Sequence, residues 1–319
     1  MARELLLEIK IKRDDVKGIL FKHRESRKIT HTYRNKIMDY LQPKELAAKM
    51  VEAGEEKLFM STKDTIIRGM GAGALLTLAA FFALTVITKT GSLIFGAILF
   101  PIGFIMLNML KFDLITGVFT LAPLPVINGN AGCTWAKVFR NWGLVFCSNF
   151  VGALAVVFLA SFSVRYGFSG ETADIFPAFH ALLAKVGEGR TLGFEKFGVA
   201  GWFTCLVRGI MCNWMVSMGV IGAIYARSTV GKFFCMWAPI MCFFFMVFEH
   251  AVVNMFLFPF AMSMGADFTL AEFFIWNEIP TVIGNFIGGF CFVGLPIYYT
   301  HFKKEKEVVQ DVEDESALA

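Results

Sequence analysis

The sequence predicts an all-α membrane protein: six transmembrane helices forming two inverted three-helix repeats, with the second and fifth helices broken. Three observations carry this reading. Of the 319 residues, 56% are apolar, and the mean hydropathy of +0.60 exceeds that of a water-soluble domain. The apolar residues gather into six stretches, at about 66–88, 92–127, 138–163, 198–226, 233–265 and 279–301, each of a length to cross a hydrocarbon layer. The second and fifth stretches are interrupted, and interruptions at corresponding places in two halves mark an inverted repeat built around a midplane site.

Taken in order, residues 1–63 read as a cytoplasmic extension, with fifteen Lys or Arg before the first span. Such an excess of cations keeps its side of a membrane protein in the cytoplasm. Leu5-Leu6-Leu7 is too short an apolar run for a secretory signal. Lys10, Lys12, Arg13, Lys22, Arg24, Arg27 and Lys28 are candidates for contact with anionic lipid headgroups. The pattern from Pro43 to Gly54 predicts an amphipathic helix lying along the membrane surface. Residues 64–302 hold the six spans, and 303–319 form a charged cytoplasmic tail. An even number of spans returns the C-terminus to the N-terminal side. Lys137, Arg140, Arg227, Lys232, Lys303, Lys304 and Lys306 fall on that same predicted side, so both termini are expected in the cytoplasm of a cell bounded by this plasma or inner membrane.

The second span is interrupted by Leu110-Lys111-Phe112-Asp113-Leu114-Ile115-Thr116-Gly117, and the fifth by Glu249-His250. Irregular backbone at this depth is tolerated where it is buried in protein or lines a cavity. The half-helices that restart after each break aim their N-termini, and so partial positive charge, into that space. An ionisable group in mid-membrane faces a polar interior, so His250 is expected to line a path across the membrane. Glu249 lies about 100° further round a helix and is expected to point elsewhere, toward Arg or backbone donors between helices. Lys111 either adds a fixed positive charge to the mouth of that path or snorkels to a headgroup. Asn213, Asn254 and Asn285 carry neutral donors and acceptors that orient an anion or pin the broken helices, with pinning preferred for Asn254. Glycines at 69, 71 and 73 and at 284, 288 and 289 permit close helix approach.

These segments, together with two others, resemble the formate/nitrite transporter family. Phe248-Glu249-His250-Ala251-Val252-Val253-Asn254-Met255 is similar to its FEHSxxNM motif, and Asp113-Leu114-Ile115-Thr116-Gly117 to the loop of its second span. Cys212-Asn213-Trp214-Met215-Val216 resembles its CNWLV, and Pro280-Thr281-Val282-Ile283-Gly284-Asn285 its PVTxGN. The resemblance runs from about Pro43 to His301 and implies a homopentamer of aquaporin-like inverted repeats, each protomer with its own pore for small monovalent anions. It implies that His250 is the mid-pore histidine, that Asn213 and Asn285 are pore asparagines, and that Leu114 and Thr116 belong to a gating loop. Phe100, Phe104, Val216 and Phe243 match the constriction positions. Arg208 occupies a family-typical basic position and is expected to partner a buried carboxylate. Two departures stand out: Lys111-Phe112 replaces a pair of small residues ahead of the loop acid, and Ala251 replaces the serine after the histidine. The lysine of the extracellular approach in many members has no counterpart in register, Lys196 being one position out and Lys185 further off.

Other classes fit less well. An enzyme needs clustered catalytic or metal-binding groups, whereas one of the five histidines lies at membrane depth. The seven cysteines are odd in number and lack CxxC spacing, so neither a disulfide framework nor a zinc site is expected, and no cofactor is implied. The paired Asn-Pro-Ala boxes of an aquaporin-type neutral-solute channel are absent from the sequence. The expected partners are a small monovalent anion, a proton, membrane lipid and further copies of the chain, with no nucleic acid. Formate or nitrite is the first expectation for the anion, and bicarbonate the alternative, followed by hydrosulfide and lactate.

Overall fold

A computed structural model describes residues 38–166 and 170–303. The basic stretch proposed to meet lipid headgroups and the tail from Lys304 onward lie outside the described residues. The helices are α1 (Pro43–Phe59), α2 (Thr62–Thr90), α3 (Leu93–Met109), α4 (Ile115–Ile127), α5 (Trp135–Arg165), α6 (Gly170–Gly189), α7 (Leu192–Glu195), α8 (Gly198–Tyr225), α9 (Thr229–Phe245), α10 (Ala251–Ser263) and α11 (Leu270–Phe302). Four of them, α2, α5, α8 and α11, have the length and apolarity to cross a membrane in one piece. The remaining two crossings are made in two pieces, α3 with α4 and α9 with α10, which gives the six expected spans.

Start signals match local chemistry. Ser61, Thr134 and Ser228 accept hydrogen bonds from the backbone N–H groups of Asp64, Lys137 and Gly231 at the starts of α2, α5 and α9, satisfying amides that no helix turn can reach. The last span begins at Leu270, nine positions ahead of the expected 279, because Thr269 and Glu272 form a capping box there. Glu272, Asn277 and Glu278 depress the hydropathy of that first stretch and hide it. Inside α11 the chain passes through π turns at Phe274–Glu278 and Ile287–Gly294.

Each half pairs its first helix with its third, α2 on α5 and α8 on α11. Glycine sets both approaches. A Cβ at Gly152 would stand 2.1 Å from the Met70 carbonyl oxygen, and one at Gly288 would stand 2.1 Å from that of Ile210. The surface helix α1 has the expected amphipathic form, but the bundle takes its apolar face: Leu46, Met50, Val51 and Leu58 are buried, and Gly54 lies against Leu121 and Pro125 of α4.

Candidate pore site

The two broken spans end their first pieces identically. Leu110, Lys111 and Phe112 donate their N–H groups to the carbonyls of Met106, Asn108 and Leu107, and Met246, Val247 and Phe248 donate theirs to Cys242, Phe244 and Phe243. Lys111 and Val247 sit at corresponding points with φ of 56° and 55°, a region L-residues seldom adopt. The bulky Phe112 is accommodated because Gly71 faces it: a Cβ there would lie 2.5 Å from the ring.

Each restart is held by one asparagine from the third helix of its own half. Asn149 accepts from the Ile115 N–H at 2.9 Å and donates to the carbonyls of Asp113 and Gly69 at 2.9 and 2.8 Å. Asn285 accepts from the Ala251 N–H at 3.0 Å and donates to the carbonyls of Glu249 and Gly209 at 2.9 and 2.8 Å. Backbone groups released by each break are thereby satisfied inside the protein, as a nonpolar surround demands. Asn213 spans the halves, donating to the carbonyls of Thr116 at 3.0 Å and Asn285 at 2.6 Å. The amide N–H groups of Asn213 and Asn285 are committed to backbone, whereas the buried Asn213 Oδ1 has no partner among the described residues.

Beside each break stands an acid with a cation. Asp113 pairs with Lys57 of α1 at 2.7 Å. Glu249 pairs with Arg190, whose Nε lies 2.8 Å from Oε1 and whose Nη2 also meets Oε2 and Asn254. Asn254 and Asn277 complete this network, donating to Glu249 Oε2 at 3.1 and 3.0 Å. The Asn254 side chain thus belongs to the ion-pair network, and its link to His250 is through the backbone, the Asn254 N–H donating to the His250 carbonyl at 2.9 Å. Glu249 does point toward an arginine, but the arginine is Arg190. Arg208 lies over the Phe194 ring at 5.5 Å in a groove with Gly189, Phe197 and Thr204, and pairs with none of the described carboxylates.

His250 is 1% exposed and is the N-cap of α10. Its Nδ1 accepts the Val253 N–H at 3.2 Å. A neutral imidazole has one donor and one acceptor nitrogen, so this bond places the proton on Nε2, which lies 3.4 Å from the Thr116 hydroxyl. The ring lies against Phe243, centroids 5.4 Å apart, and Phe243 meets Phe100 edge-on at 5.8 Å. Val216 and Phe104 are buried as well, and Phe104 packs against Gly219 of α8.

A cavity of about 420 Å³ opens on the α1 side. Leu114, Phe104, Leu107 and Val220 line it, together with Lys49, Lys57, Lys111, Asp113 and Lys232. Lys111 therefore lines the mouth, as one of its two sequence readings has it. Among the described residues neither Lys111 nor Lys232 forms an ion pair. The structure brings together His250, Thr116, Phe243 and Phe100, sets Leu114, Phe104 and Lys111 on the cavity, and ties the amide N–H groups of Asn213 and Asn285 to backbone carbonyls. Sequence reading missed Asn149, Lys57, Arg190 and Asn277. A signal existed for the first: Asn149 follows Asp113, and Asn285 follows Glu249, by the same 36 positions.

Comparison with known proteins agrees with this architecture. The family model described as formate/nitrite transporter matches residues 44–299. An uncharacterized transporter of Bacillus subtilis, YrhG, is 32% identical over 84% of this chain and 97% of its own. The formate channel FocA of Escherichia coli is 28% identical over 83% of this chain and 96% of its own. Among solved structures, a pentameric formate channel with formate bound aligns with a TM-score of 0.61 at 22% identity, over 76% of this chain and 98% of that one. An FNT family ion channel aligns with a TM-score of 0.67 at 21% identity, over 80% and 98%. The chain is an integral membrane protein of the formate/nitrite transporter family, whose members are transporters and channels rather than enzymes.

Proposed function

We propose that each protomer passes a small monovalent anion, formate or nitrite, through its own pore, with His250 assisting its protonation at the centre. The reading rests above all on one observation: the Nε2 side of His250 faces a threonine hydroxyl, not backbone, where two half-helices begin. A homopentamer is the proposed assembly, by analogy with the solved pentameric formate channel to which this chain is similar. The excess of Lys and Arg on the α1 side supports a reading with both termini in the cytoplasm and the protein in the plasma or inner membrane.

Lys111 and Lys232 raise the local concentration of anions in the cavity. The bare ion does not pass the phenylalanine ring, because losing its water in an apolar surround costs more than a few hydrogen bonds return. At the centre Nε2–H and the Thr116 hydroxyl meet the anion, and the N-termini of α4 and α10 add partial positive charge. For the ring to give that proton away, Nδ1 must take one up, which releases the Val253 amide. The proton for Nδ1 comes from water of the cavity. The neutral acid crosses and surrenders its own proton to water beyond. The ring, left protonated on Nδ1, returns that proton to water and regains one on Nε2, so that the net passage is one anion and one proton.

The test is uptake of formate, nitrite and bicarbonate into proteoliposomes at several pH values, for wild type and His250→Asn at matched protein level. Uptake of one anion that rises as pH falls and is lost with His250→Asn is expected. Unchanged pH-dependent uptake in the variant would overturn the role of His250. Preference for bicarbonate would favour the alternative substrate, for which the charge of Lys111 at the mouth is the supporting feature.

A further inference from the structure

The last span carries a carboxyl that none of the chemistry above uses. Glu278 closes the π turn Phe274–Glu278 and is 1% exposed, and neither of its carboxyl oxygens has a hydrogen-bond partner. Every other polar side chain of this neighbourhood is engaged: Asn277, one residue before it, donates to Glu249 and to the Arg190 carbonyl, and Asn254 donates to Glu249 and Asn277. A π turn widens the helix locally, and such turns recur at functional sites. Here it directs two successive polar side chains, Asn277 and Glu278, into the interior.

The elements packed on this turn include α7, α8, α10 and the rest of α11, with Phe150 of α5 stacked on Phe274. Among the titratable and charged groups of these elements are Glu195, Arg208, Cys205, Cys212, Glu272 and Cys147, with Glu249 and His250 at the entry to α10 and Arg190 just before α7. Of these, Glu249 and Cys205 interact electrostatically with Glu278. The neighbouring cation, Arg190, is already held by Glu249 and Asn254. An ionised carboxylate with neither donor nor cation is strongly disfavoured at such a site, whereas its acid form is tolerated.

We propose that Glu278 is a proton-binding site that governs the Arg190–Glu249 pair and, through it, the pore at His250. The pore part of this inference rests on the transport reading above. With the proton in place Arg190 is committed to Glu249, as observed. When the proton leaves, a second carboxylate charge stands within electrostatic reach of Glu249 and repels it. Glu249 is then loosened, and its carbonyl is one of the groups Asn285 uses to hold the restart of α10. Glu278 is a positioning residue in this scheme: it touches neither the anion nor the imidazole.

Two measurements on the reconstituted full chain test this. The first is infrared spectroscopy of wild type and Glu278→Gln from about pH 5 to about pH 9. Gln keeps the shape of the acid form without its proton. A carboxylic-acid carbonyl band that shifts in deuterated water, and is absent from the variant, is expected; no such band, or one that survives the substitution, overturns the proton site. The second is anion uptake over the same range. Glu278→Gln should match wild type at the acidic end and exceed it by about tenfold at the alkaline end, the scale of one charge interaction removed. Superimposable pH profiles would overturn the link to the pore. If wild type carries none of the tested anions at any pH, the transport reading fails while the infrared band still decides the proton site.

Discussion

In the break between α3 and α4 the residue at the entry to the new helix is Leu114; at the same point of the break between α9 and α10 it is His250. The surrounding backbone is shared, down to the positive φ at Lys111 and Val247 and the asparagine clasp of Asn149 and Asn285. The acids differ in setting. Asp113 is held by a single lysine from α1 and leaves Oδ2 without a partner, whereas Glu249 is bound by an arginine and two asparagines. A common frame therefore carries different side chains: one half sets a leucine on the cavity, and the other sets a histidine at the start of α10, beside a glutamate held by a polar network. The comparison teaches that the two breaks share one backbone and one clasp while the side chains set on them differ.

The sharpest way to break the comparison is to remove the acids. Glu249→Ala leaves Arg190 buried without its carboxylate, and removal of one partner of a buried pair costs about 3–5 kcal/mol. Asp113→Ala leaves Lys57 without its carboxylate; Lys57 is 12% exposed, as Arg190 is, but it lines the cavity mouth, and the loss should be smaller, about 1–3 kcal/mol. Thermal unfolding in detergent micelles is expected to separate the two variants. Equal losses would mean that the two ion pairs are equivalent, and the asymmetry drawn above would fall.

The asparagine clasps should behave in the opposite way. Asn149→Ala and Asn285→Ala each strand one N–H and two carbonyls in the interior. At about 1 kcal/mol or more for each stranded group, both should cost about 3 kcal/mol. The same thermal assay should find the two losses alike; a large loss at only one of them would show that the shared backbone does not imply shared mechanics.

How much of this was legible in the sequence follows from what each residue interacts with. The spans and both breaks could be read because apolar length and an intruding charge are local properties, and His250 stood out because a histidine in an apolar run is costly to place. The partners could not be read, because they are set by tertiary packing. Arg190 lies in a connection between helices, 59 positions from the carboxylate it binds, whereas Arg208 was the candidate offered by its family-typical basic position. Asn149 looked like an isolated polar residue in an apolar helix until its repeat mate was known. Whether Asn213 and Asn285 faced an anion or the backbone could not be decided from residue type, since the same amide serves both. The early start of α11 was hidden by Asn277 and Glu278, the polar residues that make its first turns distinctive.

A milder test concerns Gly71, which makes room for Phe112 in one break only. Gly71→Ala brings a methyl group to 2.5 Å from the ring, and such overpacking costs about 1–3 kcal/mol. Phe112→Ala in the same chain should recover part of that loss, which a double-mutant cycle in the thermal assay would reveal. Strictly additive losses would show that the loop relaxes without contact between the two positions.

The smallest effects belong to the strained positions themselves. A side chain at positive φ costs about 1–3 kcal/mol, part of which glycine recovers against its own greater entropy loss of about 0.5–1 kcal/mol. Val247→Gly should therefore stabilise the protein by about 1 kcal/mol, because a β-branched residue is the least suited to that conformation. Lys111→Gly should gain less in stability and differ in function. It removes a cation that no described carboxylate neutralises from the cavity mouth, so anion uptake should fall at low ionic strength and approach wild type in high salt, where such steering is screened. Val247→Gly should leave that salt dependence untouched. If both variants changed uptake in the same way, the positive φ would act on the pore through backbone geometry. If only Lys111→Gly did, the shared strain is mechanical and the charge at the first break is a separate, chain-specific device for gathering anions.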